Sequence, residues 1–560
     1  MFEEILMKHA LKNAFDFVKA DVKAVMGHAM AEIPNARENS KQIFSEAEKT
    51  VSEVNALSNE EIGTRLKNYS FEEKKEETEK KFRIDGTEEG KVVTRFLPEP
   101  NGYLHLGHAK AVFLSYELAR QYNGKCLLRF DDTNPEKEKT EYVDAIRRNL
   151  QWLGLKFSEE KYTSDRMEEL YGFAEKMLNE QNAYACTCAK EEIGKNRMEM
   201  KECSCRARSA EENISLWERM KKGESEKGEA ILRFRGGMKS ANTVMRDPSL
   251  FRVVKTEHFR QGNKYSAWPT YDFEASISDS LDGVTHALRS KEYELRDELY
   301  YAILDALNLR KPVVYDFARL NLRDRELSKR LFLAEIKENI YDGWDDQLLP
   351  TLDGLKKRGV LPEAIKNFVL SMGLSKSESE PSLQQLLDEN KRLLDAVSPR
   401  YHFVREPVRL LLRNGQRKTI SLKNHPSEEM GSRNIETENE FFISRSDTER
   451  MFQGEIFRLR ELFNVKLKQQ GKVLEAEIVS DETLPEKKLQ WVSAVEGEWV
   501  RCSVSTFGTL LKQDEGYCEK ACLNMKEGDV AQFVRYGFVK FAGKTKERNM
   551  EKLQFVFVCQ

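Results

Sequence analysis

The sequence predicts an α/β protein of several domains, and three patterns along the chain carry this prediction. A strand–loop–helix–strand succession occupies residues 92–131, as in parallel β-sheets with crossover helices. The first 62 residues carry apolar side chains at helical spacing. Strand-like runs separated by turn residues follow Pro399. The chain has 560 residues, a length that corresponds to about three or four domains.

Composition and charge describe a globular protein and exclude a membrane-spanning one. Hydrophobic residues make up 40%, charged residues 33%, and the formal net charge is -3. No apolar run approaches the roughly 20 residues that span a bilayer, and the N-terminus lacks the features of a signal peptide. We therefore expect a cytoplasmic protein without a membrane partner. A net charge this small neither indicates nor excludes a basic surface for nucleic acid.

Residues 1–85 are predicted to form a helical N-terminal extension. Ser58 and Glu61 have the spacing of a capping box. In the run FEEKKEETEKKF at 71–82, nine of twelve residues are charged, which is typical of a solvated helix or linker. We place a domain boundary there. Two helical stripes precede it, one with Phe2, Ile5, Leu6, His9 and Leu11 and one with Ile43, Phe44, Ala47, Val51 and Val54.

The first chemical motif is PEPNGYLHLGH at 98–108, between a predicted strand at 92–97 and a predicted helix at 107–122. His105 and His108 flank Gly107 where the helix begins. A helix N-terminus offers free N–H groups and a positive dipole end, and imidazoles can donate hydrogen bonds to phosphate oxygens. The motif predicts a phosphate site without a Walker-type loop. The alternative is that the four residues HLGH match this pattern by chance.

Two charged residues end neighbouring predicted strands. Arg95 lies at the end of the first strand, and Asp131 follows the second, at 125–130. Ends of parallel strands share one crevice, where a carboxylate can hold an ammonium group and a guanidinium can hold a carboxylate. The alternative for each is an ordinary ion pair.

Two CxC pairs lie in the segment 165–270, which interrupts the sheet-forming segments 86–164 and 271–320. Fourteen residues separate the pairs. Four thiolates suit tetrahedral zinc and leave no open position for catalysis, so we predict one structural Zn²⁺, with free thiols as the alternative. Residues 321–395 are predicted to be mainly helical and 396–560 to be all-β. The four cysteines are Cys186, Cys188, Cys203 and Cys205.

Together these motifs resemble the class I glutamyl- and glutaminyl-tRNA synthetases over nearly the whole chain. HLGH is similar to their HIGH signature, and LRFDDTNPEKE, YDFEASISDSLDGVTHALRS and LSKR are similar to later motifs. The resemblance implies a Rossmann-type catalytic domain, an inserted acceptor-stem-binding domain and C-terminal anticodon-binding β-barrels. The phrase ALKNAFDFVKADVKAVMGHAM resembles the extension of archaeal-type glutamyl enzymes.

The resemblance assigns the phosphate chemistry to particular residues. It implies catalytic roles for His105, His108 and Lys329. Lys329 lies in LSKR, which matches the KMSKS loop of the family except that the leading lysine is absent. Without the resemblance, LSKR would be interpreted as a solvated basic loop. A mobile ammonium suits the charge that grows on the α- and β-phosphates. The implied ATP-binding residues are Pro98, Glu99, Asn101, Leu106, Gly107, Lys110, Arg319, Leu320, Leu327 and Ser328.

The same resemblance places Arg95, Asp131, Tyr271 and Arg289 in the amino-acid pocket. Arg289 lies in the ALR pattern of the archaeal and eukaryotic glutamyl enzymes and favours glutamate. Its guanidinium pairs with a γ-carboxylate, whereas the neutral side-chain amide of glutamine supplies no opposite charge. Two other segments, NGYLHLGHAK and DDTNPEKE, are more similar to the glutaminyl-tRNA synthetases, so a glutaminyl-tRNA synthetase remains an alternative. An inactive tRNA-binding paralogue is a second alternative, which the intact HLGH and LSKR disfavour.

The implied reaction is ATP-dependent activation of L-glutamate to glutamyl-adenylate and its transfer to the 3′ end of tRNA(Glu), with tRNA(Gln) left open. ATP, Mg²⁺ and one structural Zn²⁺ are the expected cofactors, and we expect a monomer. Lys356, Lys357 and Arg358 form a basic run that is expected to contact tRNA, with a solvated helix end as the alternative.

Overall fold

The chain divides into two compact units, Met1–Lys81 and Phe82–Gln560. Among the described helices, none combines the length and the apolar character needed to cross a lipid bilayer. The structure is a computed structural model that describes residues 2–17, 20–33, 40–57, 59–66, 68–69, 81–480, 484–507, 511–547 and 550–560.

The first unit is helical, as predicted. Its helices pack their apolar stripes into one core, in which Leu6, Leu11 and Ile43 are fully buried. Phe44 departs from the predicted stripe because its side chain is 45% exposed. Ser58 of the predicted capping box and residues 71–80 of the charged run lie outside the described residues. The helices are α1 (Phe2–Phe17), α2 (Val22–Glu32), α3 (Ser40–Asn55) and α4 (Asn59–Leu66).

The second unit begins with the predicted strand–helix–strand succession. Three parallel strands form a sheet in the order β1-β2-β3, and α5 packs its apolar face on β1 and β2. The predicted strand and helix limits agree with the structure to within one or two residues. These elements are β1 (Val93–Phe96), α5 (Leu106–Gln121), β2 (Lys125–Phe130), α6 (Thr140–Trp152) and β3 (Glu159–Tyr162).

An inserted segment follows, with an antiparallel sheet in the order β4-β5-β6-β7. Trp217, Phe251 and Trp268 are fully buried in its core. Because its last strand leads directly into the next helix of the catalytic domain, the insertion lies beside the sheet edge that carries the predicted site. Its elements are α7 (Met167–Asn179), β4 (Ala183–Cys186), α8 (Lys190–Met198), α9 (Ala210–Lys221), β5 (Ile231–Phe234), β6 (Ser249–Val253) and β7 (Ala267–Pro269).

The chain then returns to the parallel-sheet domain. The backbone N–H of Thr285 donates to the carbonyl of Val93 at 2.8 Å, and the Val93 N–H donates to the Thr285 hydroxyl at 2.8 Å. Two further parallel strands, β8 and β9, thereby lie beside β1. The elements are α10 (Tyr271–Leu281), β8 (His286–Ser290), α11 (Asp297–Leu307) and β9 (Val313–Phe317).

Helices dominate the next segment and strands dominate the last one, as predicted. The helices are α12 (Lys329–Lys337), α13 (Leu352–Arg358), α14 (Pro362–Ser371) and α15 (Leu383–Asp395). The C-terminal elements are β10 (Arg400–Tyr401), β11 (Phe403–Arg405), β12 (Pro407–Leu412), β13 (Lys418–Lys423), β14 (Ser432–Thr437), β15 (Glu440–Ser444), α16 (Arg445–Thr448), β16 (Ile456–Leu459), β17 (Asn464–Gln469), β18 (Val473–Val479), β19 (Lys488–Leu489), β20 (Val492–Ser493), β21 (Trp499–Phe507), β22 (Leu511–Glu519), β23 (Val530–Phe533), β24 (Gly537–Glu547) and β25 (Met550–Cys559).

The C-terminal strands form two barrel-like sheets of seven strands each. One has the order β10-β23-β24-β25-β21-β22-β11, the other has the order β19-β16-β17-β18-β12-β15-β20, and β13 pairs with β14 as a hairpin. Each sheet encloses its own apolar cluster. The predicted α/β fold class, with a helical N-terminus and an all-β C-terminal region, is confirmed, and the exact domain boundaries stay predictions.

Candidate functional site

A cavity of about 830 Å³ opens at the carboxyl ends of β1, β2, β8 and β9. This is the edge at which parallel sheets bind ligands. The walls come from the loop before α5, the start of α10, the end of β8, the segment before α12 and part of the insertion. The predicted site residues on its walls are Arg95, Pro98, Glu99, Asn101, His105, Gly107, His108, Asp131, Tyr271, Arg289, Arg319, Leu320, Leu327, Ser328 and Lys329.

Leu106 and Lys110, both predicted to bind ATP, lie behind the cavity wall. Leu106 is fully buried in the core under α5. Lys110 donates from its Nζ to the carbonyl of Ala318 at 2.6 Å, directly after β9, and burial lowers the pKa of its ammonium to about 8. Lys110 therefore ties α5 to β9 inside the fold, and a contact of either residue with ATP stays a prediction.

The two histidines form a fixed pair at the start of α5. His105 is the N-cap, and its Nδ1 accepts from the Gly107 N–H at 3.1 Å. The Nδ1 of His108 accepts from the His105 N–H at 3.2 Å. Because both Nδ1 atoms are acceptors, both rings carry their proton on Nε2.

Burial keeps both imidazoles neutral. Burial, helped by the charges of Lys329 and Arg319, lowers the pKa of His105 to about 3. Burial also lowers the pKa of His108 well below its usual value. The pair therefore offers two neutral Nε2–H donors beside the positive dipole end of α5, an arrangement suited to phosphate oxygens.

Gly107 is required by the close approach of His105. A Cβ at this position would lie 2.9 Å from His105 Cε1 and 3.1 Å from its Nδ1. We expect Gly107→Ala to displace the imidazole and to lower kcat of ATP-dependent substrate activation on the order of 10–100-fold. Gly172→Ala is the matched control, because a Cβ there meets nothing within 4 Å. Equal kcat values for the two variants, measured at saturating substrates, would contradict this role of Gly107.

Lys329 approaches the loop before α5 from the opposite wall. It is the first residue of α12, where the Ser328 side chain accepts from the Leu331 N–H as N-cap. Its Nζ donates to Asn101 Oδ1 at 2.8 Å and to the Glu99 carbonyl at 3.4 Å. Burial lowers the pKa of Lys329 to about 8, although the nearby Glu99 charge acts in the opposite direction. A cation thus lies on the same cavity as the two imidazoles.

Arg95 and Arg289 lie next to each other at the other end of the cavity. Arg95 donates from Nη1 to the carbonyl of Leu288 at 2.9 Å, and Leu288 immediately precedes Arg289. The Arg289 guanidinium contacts Asp297 and lies 5.2 Å from the ring centroid of Tyr300. Both arginine side chains are buried, at 3% exposure each. Two buried guanidinium groups on one wall suit a carboxylate ligand.

Asp131 supplies an opposite charge on the cavity wall. Its Oδ1 accepts from the Thr133 hydroxyl at 2.8 Å. Burial raises the pKa of the Asp131 carboxyl to about 6, and the Thr133 hydrogen bond limits that rise. Because this pKa lies below 7, most of the Asp131 carboxyl is ionised at neutral pH and able to bind an ammonium group.

Several cavity residues were missed by sequence reasoning. Tyr293 packs its ring 5.0 Å from that of Tyr271, and Asp272 pairs with Arg296. Asp279, fully buried behind the wall, binds Arg95. A signal was available for the two acids, because they are seven residues apart in α10 and so share one face. Tyr293 lies in a short turn that carries no comparable pattern.

The four predicted metal-binding cysteines come together in the insertion. Their sulfur atoms all lie within 4.8 Å of one another, and among the described residues this is the one group of His, Cys, Asp and Glu with metal-ligating spacing. Burial would raise the pKa of Cys205, but hydrogen bonds from Thr187 help lower it to about 7. The Arg233 guanidinium lies 3.8 Å from Cys186 Sγ. Four converging sulfur atoms fit tetrahedral zinc.

The predicted RNA-binding run lies at the end of α13. Arg358 is largely buried and donates from Nε to the Val558 carbonyl at 3.3 Å. Lys357 pairs with Asp345 at 2.9 Å. The Lys356 ammonium lies 5.9 Å from the Trp152 ring centroid. Arg358 therefore joins the helix to the C-terminal sheet, and contacts of the three residues with tRNA stay a prediction.

Two family models match the chain. The model described as "tRNA synthetases class I (E and Q), catalytic domain" matches residues 91–394. The model described as "tRNA synthetases class I (E and Q), anti-codon binding domain" matches residues 398–481. Together they cover the cavity and the first part of the β-rich region.

Curated relatives match over nearly their whole length. The chain is 40% identical to the glutamate–tRNA ligase of Nitrosopumilus maritimus, with 96% of this chain and 98% of the relative covered. It is 37% identical to that of Korarchaeum cryptofilum, covering 96% and 97%. It is 36% identical to that of Pyrococcus furiosus, again covering 96% and 97%.

Proposed function

Because this chain belongs to the class I tRNA synthetases for glutamate and glutamine, we propose that its cavity joins L-glutamate to ATP and passes the glutamyl group to tRNA(Glu). The chain is a glutamate–tRNA ligase of archaeal type, as its motifs predicted. The observation that carries the proposed mechanism is one cavity lined by His105 and His108 at the start of α5 and also by the Arg95 and Arg289 guanidinium groups. We assign the phosphates to the first set, at the phosphate-binding end, and a carboxylate to the second, at the amino-acid end.

The first step uses the phosphate-binding end. The α-carboxylate of glutamate attacks the α-phosphorus of ATP, which forms glutamyl-adenylate and releases pyrophosphate. The Nε2–H groups of His105 and His108 donate to the phosphate oxygens beside the positive dipole end of α5. The Lys329 ammonium, which contacts Asn101 and Glu99 at the same end of the cavity, adds a cation. Neutral donors and one cation stabilise the charge that grows in the transition state. Binding both reactants in one cavity lowers the activation barrier further, because it holds the reacting groups close together.

The amino-acid end selects glutamate. Arg289 and Arg95 pair with the γ-carboxylate, and the ionised Asp131 binds the ammonium group. Glutamine would offer the two guanidinium groups a neutral amide in place of a carboxylate, and a site built to pair a group strongly rejects the analogue that lacks it. The ring of Tyr271, packed on Tyr293, lines the same cavity.

In the second step a ribose hydroxyl at the 3′ end of tRNA attacks the carbonyl carbon of the adenylate, and AMP leaves. Nothing in this step needs a side-chain nucleophile. Arg197, Val244 and Ser249 of the insertion line the same cavity, which supports an approach of the acceptor end from that side. A cytoplasmic monomer and the use of tRNA(Gln) stay predictions.

Two metal ions belong to the proposal. Mg²⁺ would neutralise charge on the ATP phosphates. Zn²⁺ would be held by the four clustered cysteines and would stabilise the insertion, without a position for substrate.

Loss of zinc has a measurable expected result. We expect Cys203→Ser to remove bound zinc, measured by mass spectrometry of the metal content, and to lower the melting temperature by about 5 °C or more. The cause is that three remaining ligands no longer close the tetrahedral site. Cys126→Ser, at a buried cysteine outside the cluster, should keep its zinc. A wild-type protein purified without zinc, and unchanged in melting temperature on adding it, would count against the site.

Aminoacylation of transcribed tRNA(Glu) and tRNA(Gln), each offered glutamate and glutamine separately, tests the proposed function. Glutamate on tRNA(Glu) alone would define a discriminating enzyme. Glutamate on both tRNAs would define a non-discriminating one and require a later amidation of the tRNA(Gln) product. Glutamine on tRNA(Gln) would overturn the assignment of Arg289, and no product at all would favour an inactive tRNA-binding protein.

A further inference from the structure

We propose that Asp279 is a positioning residue that fixes Arg95 in the orientation needed to bind glutamate, an inference that rests on the proposed role of Arg95. Asp279 lies on α10 with no exposed surface. Its two carboxylate oxygens lie 3.0 and 3.1 Å from Arg95 Nε. Oδ1 also accepts from Arg129 Nη2 at 2.7 Å, and Oδ2 accepts from the Tyr300 hydroxyl at 3.1 Å.

These contacts leave one side of the Arg95 guanidinium for a ligand. Nε is engaged by Asp279, and Nη1 is engaged by the carbonyl of Leu288. Among the described residues no hydrogen bond engages Nη2, and Arg95 lines the cavity. Because two of the three nitrogen atoms are anchored to α10 and β8, the third is held in place before the substrate arrives. Such preorganisation lowers the cost of binding.

The charges around Asp279 make an ionised carboxylate necessary. Burial alone would lower the pKa of Arg95, and the nearby Arg129 lowers it further, yet Asp279 raises it above its usual value. Burial likewise favours a neutral Asp279, but Arg95 and Arg129 hold the pKa of its carboxyl below the usual value. Asp279 thus compensates two buried guanidinium groups that otherwise repel each other.

Asp282 provides a matched control three residues further along the chain. Its side chain is equally buried, at 1% exposure, and contacts Arg129 Nη1 at 2.7 Å. It also pairs with Arg166 and Lys161. None of the Asp282 contacts in the described part of the chain involves Arg95. Asp282→Asn therefore removes a comparable buried charge and loosens Arg129 without releasing Arg95.

The test measures KM for glutamate and KM for ATP separately, in aminoacylation of tRNA(Glu) by the full chain, with thermal unfolding in parallel. We expect Asp279→Asn to raise KM for glutamate on the order of 100-fold, with KM for ATP changed less than about 3-fold. Asp282→Asn should leave KM for glutamate within about 3-fold of wild type even where its melting temperature falls. Equal effects of the two variants on KM for glutamate would overturn the inference.

Tyr300→Phe keeps the inference testable where Asp279→Asn fails to fold. It removes the hydroxyl that holds Oδ2 but keeps the ring beside Arg289. We expect a rise in KM for glutamate of about 5-fold, and an unchanged KM would contradict the positioning role. A wild-type protein that does not attach glutamate to tRNA(Glu) would instead contradict the proposed function itself, so the two failures are distinguishable.

Discussion

Replacing Arg289 by glutamine is expected to lower kcat/KM for glutamate by about 10³-fold, because truncating one partner of a buried charge pair leaves the other unpaired. The substitution keeps hydrogen-bonding capacity but removes the charge that pairs with the γ-carboxylate. Glutamine, which has no such charge, should lose far less, so the preference between the two amino acids narrows or reverses. Competition assays with both amino acids, followed by mass spectrometry of the aminoacyl ester, measure this directly.

The surroundings of Arg289 supply the control for this prediction. Asp297 contacts the guanidinium, and Asp316 on β9 lies opposite Arg289 on β8. Arg289→Gln leaves Asp297 and Asp316 without the neighbouring positive charge, so the substitution should also lower the melting temperature. Arg289→Lys keeps the charge but cannot form the bidentate hydrogen bonds of a guanidinium. We expect this variant to stay selective for glutamate, with a higher KM for glutamate. An Arg289→Gln enzyme that kept the wild-type preference would rule out this residue as the selector.

Replacing Lys329 by alanine is expected to lower kcat of the activation step on the order of 10²–10³-fold, the usual cost of removing one electrostatic group that acts in the transition state. KM for glutamate should change little, since the Lys329 ammonium contacts Asn101 and Glu99 at the phosphate-binding end of the cavity. Tryptophan fluorescence or calorimetry of glutamate binding, beside the kinetics, separates the two effects. A large loss of glutamate affinity would contradict the placement of Lys329.

The pKa of Lys329 predicts that kcat/KM for ATP depends on pH. Burial lowers the pKa of Lys329 to about 8, so the cation is present below that pH and is lost as the pH rises through it. We expect kcat/KM for ATP to decline on the alkaline side with a midpoint near this value. Lys329→Arg keeps its charge well above pH 8, and its profile should lack that decline. A decline common to both enzymes would assign the titration to another group.

The sequence was most informative where local pattern and chemistry coincide. The strand and helix that flank Gly107 follow from apolar periodicity, and two imidazoles at a helix start indicate phosphate binding without any structure. The four cysteines could be grouped from their spacing alone. The resemblance to a known family then placed Arg289 in the pocket.

Other features depend on contacts between distant parts of the chain. Lys110 has the same α5 context as His108, yet its ammonium turns inward to the Ala318 carbonyl. Arg358 belongs to a basic run but is buried against Val558, 200 residues later. Asp279 reaches Arg95 across 184 residues. Side-chain direction and long-range pairing of this kind are not encoded in local periodicity, and so they could not be predicted.

The most direct test of the proposed glutamate specificity is the ratio of kcat/KM for glutamate to that for glutamine, measured with wild-type enzyme and tRNA(Glu). Arg95 and Arg289 are two buried cations on the cavity wall, and Asp279 lies buried behind Arg95. We expect glutamate to be preferred by at least about 10⁴-fold, the discrimination typical of a site whose buried polar group would be left unpaired. Equal use of the two amino acids, or a preference for glutamine, would contradict it.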